Sequence, residues 1–153
     1  RENSGEPVAD IRIKYKQLRG ITISANRVPR MIDEYPILGI AASVAQGTSI
    51  FKGVGELRIK ESDRLTAMAE GLKACGVKTK ETKNSLTIMG ESGKVSGGAK
   101  IASQLDHRIA MSYLVLGLIS TNPITIDDGD PIETSFPNFI SLMNQLGANM
   151  ELK

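Results

Sequence analysis

Apolar positions run almost unbroken through two stretches, Glu34 to Gln46 (EYPILGIAASVAQ) and Arg108 to Ser120 (RIAMSYLVLGLIS), and the pattern predicts two helices without a wet face. Such helices have to be covered on all sides. Each is followed by a turn and a short β-like run, TSIFKGV and NPITIDD, and then by a more amphipathic helix, SDRLTAMAEGLKACG and FPNFISLMNQLGA. The amphipathic helices end at Gly76 and Gly147, where left-handed C-caps are expected. VKTKE and NMELK come next.

Aligned on those glycines, Leu65, Met68 and Leu72 match Phe136, Phe139 and Met143, and Asp33 matches Asp106 at the mouths of the apolar helices. The repeat has a period of about 70 residues, too long for a solenoid unit and suited to a strand-helix-strand-helix module with added strands. Val77 to Glu81 and Ser85 to Met89 read as a hairpin across TKN, and the opening VADIRIKYKQLRGITIS reads as the closing strands of an earlier copy. The expected division is residues 1–27 as those closing strands, 28–98 as one complete repeat and 99–153 as most of a further one. The fold class is α/β.

With 153 residues, 41% of them hydrophobic, the chain can bury one core. It starts at Arg1 rather than Met, with no helix or strand signal before Ile11, and reads as a piece of something longer. A net charge of +2 is far from the basic excess that nucleic-acid binding needs, and three Tyr, three Phe and no Trp give few stacking platforms. The single cysteine, Cys75, excludes an internal disulfide and a cysteine-rich metal site, and its helical setting makes it apolar filler. The apolar run Ile109 to Ile119 falls short of the roughly 20 residues that span a bilayer. Cytoplasm is the expected location. GESGKVSGGAK lacks Walker-loop spacing, and GVGELR has Arg58 where a dinucleotide fingerprint needs its third glycine, so both read as ordinary loops.

The charged positions at the helix mouths change the picture most. In IKESDRL, Ser62 is the expected N-cap, which places Asp63 and Arg64 in the first turn. In QLDHRIAMS, Asp106 is the expected cap, with His107 and Arg108 behind it. A cation at a helix start opposes the helix dipole. One resolution is an anion: free N–H groups at the mouth plus a guanidinium would bind phosphate or carboxylate. The other is local pairing at the surface, Arg64 with Glu61 or Asp63 and Arg108 with Asp106. Asp33 and Glu61 could divide base and acid work, and Asp33 could equally be a plain N-cap. His107, the only histidine, makes a histidine-based metal site or a Ser-His-Asp triad a poor fit and suits polar support.

RVPRMIDEYPILGIAA, ELRIKESDRLTAMAEGL, LDHRIAMSYLVLG and IETSFPNFISLMNQLGA, taken in order, resemble successive motifs of the 5-enolpyruvylshikimate-3-phosphate synthase family, from about Gly5 to Lys153. The resemblance implies part of the C-terminal domain of a two-domain enzyme. Each domain would be built from βαβαββ units with buried helices and mixed sheets, the enolpyruvyl transferase fold. It further implies transfer of enolpyruvyl from phosphoenolpyruvate to shikimate 3-phosphate with release of phosphate, on the route to chorismate and aromatic amino acids, with no cofactor, metal, nucleic acid or membrane. Asp33 matches the carboxylate that accepts the hydroxyl proton, Glu61 the acid near the methylene carbon, and Lys60 a lysine that contacts shikimate 3-phosphate. Arg64 and Arg108 match the arginines that clamp phosphoenolpyruvate, with Asp106 and His107 in support. Thr134-Ser135 before Phe136-Pro137 looks like the branch often called class II, where reduced glyphosate sensitivity is common. A UDP-N-acetylglucosamine enolpyruvyl transferase is the alternative within the fold. For the isolated chain, the alternative is a non-catalytic module that lacks the other domain's half of the cleft.

Overall fold

The apolar stretches become the crossover helices of two parallel strand pairs. In the computed structural model, which describes residues 2–3 and 5–151, a short antiparallel pair comes first, β1 (Glu2–Asn3) with β2 (Glu6–Pro7). Then β3 (Thr22–Ile23), α1 (Val28–Met31) and α2 (Tyr35–Ser43) lead to β4 (Gln46–Lys52). β3 pairs parallel with β4, Thr22 opposite Ile50 and Ile23 opposite Phe51. Parallel neighbours need a crossover connection, and α2 supplies it. A 3-10 turn (Val54–Ile59), α3 (Arg64–Ala74), β5 (Lys78–Thr82) and β6 (Ser85–Glu91) follow. The sheet order is β3-β4-β6-β5, and the expected hairpin closes at the Thr82–Ser85 pair.

The arrangement then recurs. β7 (Lys100–Ile101) and β8 (Thr125–Ile126) pair parallel across α4 (His107–Gly117), after which come α5 (Asp130–Ser135) and α6 (Phe139–Gln145). The strand-helix-strand repeat legible in the sequence is therefore present as two parallel pairs, each spanned by an apolar helix.

The core lies where α2, α3, α4 and β6 meet. Tyr35, Phe51, Leu57, Leu65, Met68, Leu72, Leu86, Ile88, Ile109, Tyr113 and Leu116 are all buried there. Tyr35 meets Phe51 edge to face at 5.3 Å. The Tyr113 hydroxyl crosses to α3 and donates to the Met68 carbonyl at 2.8 Å. That crossing is possible because residue 71 is glycine: a Cβ there would collide with the Tyr113 ring and hydroxyl. A smaller cluster of Ala110, Ile132 and Phe139 seats α5 and α6 on the other side of α4.

Several expectations fail for identifiable reasons. In the opening stretch 8–24, a bridge from Arg19 to Gln46 and the pairing of β3 with β4 are the ladder contacts among the described residues. Ile11, Ile13 and Tyr15 are 84%, 88% and 94% exposed, because no described strand lies beside them to complete the ladder. The apolar helices are not fully covered either, since Ile37 on α2 and Leu118 and Ile119 just past α4 are exposed. The expected helix from Phe136 starts only at Phe139, because Asn138 takes a left-handed backbone (φ 69°). A separate helix, α5, forms before it with Pro131 in its first turn. Gly76 and Gly147 do adopt positive φ, 88° and 97°, as C-cap residues should.

Candidate active site

Local structure sets the two charged mouths. Asp63, not Ser62, caps α3: its carboxylate accepts from the Thr66 N–H at 3.0 Å and the Thr66 hydroxyl at 2.9 Å. The Ser62 hydroxyl is engaged elsewhere, donating to Asp106 Oδ2 at 3.0 Å. Asp106 caps α4 as expected, accepting from the N–H groups of Arg108 (2.9 Å) and Ile109 (3.4 Å).

The mouths meet at Arg64. Its side chain has no exposed surface, so it is not part of a solvated surface cluster. Nε donates to Asp106 Oδ2 at 2.7 Å, Nη1 to Asp33 Oδ1 at 2.9 Å, and Nη2 lies 2.6 Å from Glu61 Oε2. Arg108 approaches from α4, donating from Nη1 to the Asp33 carbonyl at 3.2 Å, with Nη2 3.5 Å from Asp33 Oδ2. Of the local pairs expected from sequence, only Arg64 with Glu61 forms. Asp33 is not a cap: Glu34 occupies that position of α2, without a side-chain cap bond, and Asp33 turns to the two arginines.

The electrostatics follow from this geometry. Burial opposes the charge on Arg64, but hydrogen bonds and charge from Asp106, with Asp33 and Glu61 behind, overcome it and raise its pKa. Burial likewise opposes ionisation of Asp106. Arg64, the Ser62 hydroxyl and the Arg108 N–H reverse that effect and hold the carboxyl below its ordinary value. Asp33 and Glu61 differ from Asp106 in being half-exposed, at 43% and 53%. Both touch the same guanidinium.

Two candidates stand apart. Lys60 Nζ binds Glu56 Oε1 at 2.9 Å and does not join the cluster. His107, at the first position of α4, is half-buried and makes no side-chain hydrogen bond among the described residues. No group of three or more His, Cys, Asp or Glu is arranged to hold a metal among the described residues; the three acids here are gathered by a guanidinium. Nor is any described helix long and apolar enough to cross a membrane. Sequence reasoning missed Arg58, whose only signal was its position five residues before the Asp63 cap. It also missed the Ser62–Asp106 bond, which no local pattern announces.

The family model described as EPSP synthase (3-phosphoshikimate 1-carboxyvinyltransferase) matches residues 1–143. The chain belongs to that family. It is 55% identical over 150 residues to the 3-phosphoshikimate 1-carboxyvinyltransferase of Cereibacter sphaeroides, covering 98% of this chain and 34% of the relative. Against the enzyme of that name from Paramagnetospirillum magneticum the identity is 51%, with the same coverage. The chain thus spans about a third of the length of these relatives. Among solved structures, the EPSP synthase of Acinetobacter baumannii superposes with a TM-score of 0.83 at 42% identity, over 88% of this chain and 32% of that one. The enolpyruvyl transferase NikO of Streptomyces tendae reaches 0.69 at 20% identity, over 88% of this chain and 29% of that one, which shows the shared fold alone. The α/β fold expected from sequence is accordingly that of the enolpyruvyl transferases.

Proposed function

We propose that this chain carries the proton-transfer carboxylates and two anion-facing arginines of an enzyme that moves enolpyruvyl from phosphoenolpyruvate to shikimate 3-phosphate. The observation that supports this best is the convergence of Asp33, Glu61 and Arg108 on or beside one buried guanidinium, from segments far apart in the chain. Two solvent-open carboxylates beside arginines can reach a bound anionic substrate, as groups that give and take its protons must.

In this reading Asp33 accepts the proton of the attacking hydroxyl as its oxygen bonds to C2 of phosphoenolpyruvate, and Glu61 delivers a proton to the methylene carbon, giving a methyl group. The tetrahedral adduct then loses phosphate while that carbon returns a proton to Glu61. Arg64 and Arg108 face the phosphoenolpyruvate anion, and Lys60, released from Glu56, faces shikimate 3-phosphate. Asp106 and His107 support the mouth of α4.

Two arginines and three acids sum to a charge of −1 in the cluster. An incoming anion must therefore displace Asp33 and Glu61 from the arginines, which frees those carboxylates for proton transfer. It must also find further cations, which the remaining two thirds of the parent would supply together with the opposite wall of the cleft. The isolated chain, with its carboxylates open to solvent, should turn over negligibly. It should bind phosphate at roughly millimolar strength or weaker.

The test grafts residues 1–150 in place of the matching third of the Cereibacter sphaeroides relative. Phosphate release from phosphoenolpyruvate should require shikimate 3-phosphate and be abolished by Glu61→Ala. A folded graft without release, release indifferent to Glu61→Ala, or tighter binding of UDP-N-acetylglucosamine than of shikimate 3-phosphate would each defeat the proposal.

A further inference from the structure

Between Arg58, near the end of the 3-10 turn, and Asp63, the cap of α3, lie only Ile59 to Ser62, yet this bridge carries Lys60 and Glu61. Something must hold so short and charged a segment in one shape. Arg58 sits at its entrance and Asp63 at its exit, and the two are joined by an ion pair at 2.9 Å. The same guanidinium fills its remaining directions with structure. Nη1 also donates to the Thr66 hydroxyl at 2.8 Å, Nη2 to the Thr82 carbonyl at 2.8 Å, and Nε to the Lys83 carbonyl at 3.3 Å. Glu81 lies alongside, its Oε1 4.0 Å from Nη2 and its buried Oε2 without a hydrogen-bond partner.

The β5–β6 turn grips the other end of the 3-10 segment as well. The Asn84 side chain accepts from the Gly55 N–H at 2.7 Å, and the Asn84 carbonyl accepts from the Gly53 and Val54 N–H groups at 2.9 and 3.2 Å. The turn is thus fastened to both ends of the segment that delivers the bridge, and Arg58 ties turn, bridge exit and helix start together.

We infer that Arg58 is a positioning residue: it latches the Ile59–Ser62 bridge between the β5–β6 turn and the cap of α3, and so sets Glu61 against Arg64. The latch rests on the reading of Glu61 as a proton-transfer group for its functional meaning but not for its structural test. Only a planar, forked cation can serve a carboxylate, a hydroxyl and two carbonyls at once; a lysine keeps the charge and loses the fork.

The structural test is 15N relaxation on the 153-residue chain. Lys60 and Glu61 amides should be rigid in the unsubstituted protein, with order parameters of about 0.85, and fall below about 0.6 in Arg58→Met, while α3 beyond Met68 stays rigid. Arg58→Lys should fall between the two, and it reads the same amides if the Met variant fails to fold. Unchanged order at Lys60 and Glu61 in either variant, or equal loosening throughout α3, would overturn the latch. In the grafted enzyme, Arg58→Lys should lower kcat roughly 10- to 100-fold with KM changed far less, because misplacing a reacting group is costly. A fall in kcat no larger than the loss of folded protein would reduce Arg58 to a stability role and also overturn the inference. Absence of turnover in the unsubstituted graft would strike the proposed function, and the relaxation data would still judge the latch.

Discussion

Replacing Asp106 with asparagine should destabilise the chain by about 3 kcal/mol, the low end of the cost of breaking a buried ion pair. The substitution keeps the shape of the side chain and an oxygen for the Arg108 and Ile109 N–H groups, so α4 keeps its cap. What it removes is the one fully buried counter-charge of a guanidinium that is itself fully buried. The cost does not reach the upper end because Asp33 and Glu61 remain on Arg64, each half in water. Asp106→Ala loses the cap too, for a further ~1 kcal/mol. Against the roughly 5–15 kcal/mol that hold such a domain folded, either change is large. Urea unfolding followed by circular dichroism measures it. With a slope of about 2 kcal/mol per molar, Asp106→Asn should lower the midpoint by roughly 1.5 M.

Acid gives an independent check. The folded-state pKa of Asp106 lies below its ordinary value of 3.8, so its stabilisation is present above that pH and is lost as pH falls through the folded value. The gap between the unsubstituted chain and Asp106→Asn should stay constant from about pH 7 to pH 5, begin to narrow below about pH 4 and keep narrowing as the pH falls toward the folded value. A gap under about 1 kcal/mol at neutral pH, or one that does not narrow at all as the pH is lowered below about 4, would refute the assignment of Asp106 as the buried counter-ion.

Arg64→Met strands Asp106 in the interior. In a double-mutant cycle with Asp106→Asn by urea unfolding, the pair should cost at least about 1 kcal/mol less than the sum of the single changes. Gly71→Ala pushes a methyl into the Tyr113 ring and should lower stability by about 1–3 kcal/mol. Tyr113→Phe in that background should not rescue it, since the ring remains; thermal unfolding decides. Burial pushes the Cys75 thiol up to about 11, so a disulfide reagent at pH 8 should label the folded chain roughly 100-fold more slowly than the chain in denaturant. Equal rates would mean that α3 opens readily.

What the sequence disclosed was whatever repeats or alternates locally. The apolar runs at 34–46 and 108–120 mark the crossover helices because burial demands apolar side chains on every face that meets protein. Gly76 and Gly147 mark helix ends because few other residues accept a positive φ. The interruption at Asn138 stayed hidden because a left-handed Asn looks like any polar residue in an amphipathic run. The site divides in the same way. Its residue types were legible at the two helix mouths, but their pairing was not: Asp33 reaches Arg64 across 31 residues and the backbone of Asp33 meets Arg108 across 75, and no local spacing encodes either contact.

The cation at a helix start is the point at which local reasoning went furthest and stopped short. A guanidinium among free N–H groups needs negative charge, and an external anion was one way to supply it. The fold supplies it from within, and through acids of two kinds. Asp106 has no exposed surface, caps the neighbouring helix and accepts from Ser62, so releasing it would uncover several donors at once. Asp33 and Glu61 are open to water and can be exchanged for another carboxylate or a phosphate at the cost of rehydrating groups already half hydrated. Arg64 is therefore permanently neutralised by Asp106, which it meets through Nε and more distantly through Nη2, and reversibly by Asp33 and Glu61. An anion arriving at the open side does not find an empty cationic pocket. It competes with the two carboxylates proposed to move protons, so binding and activation become a single exchange.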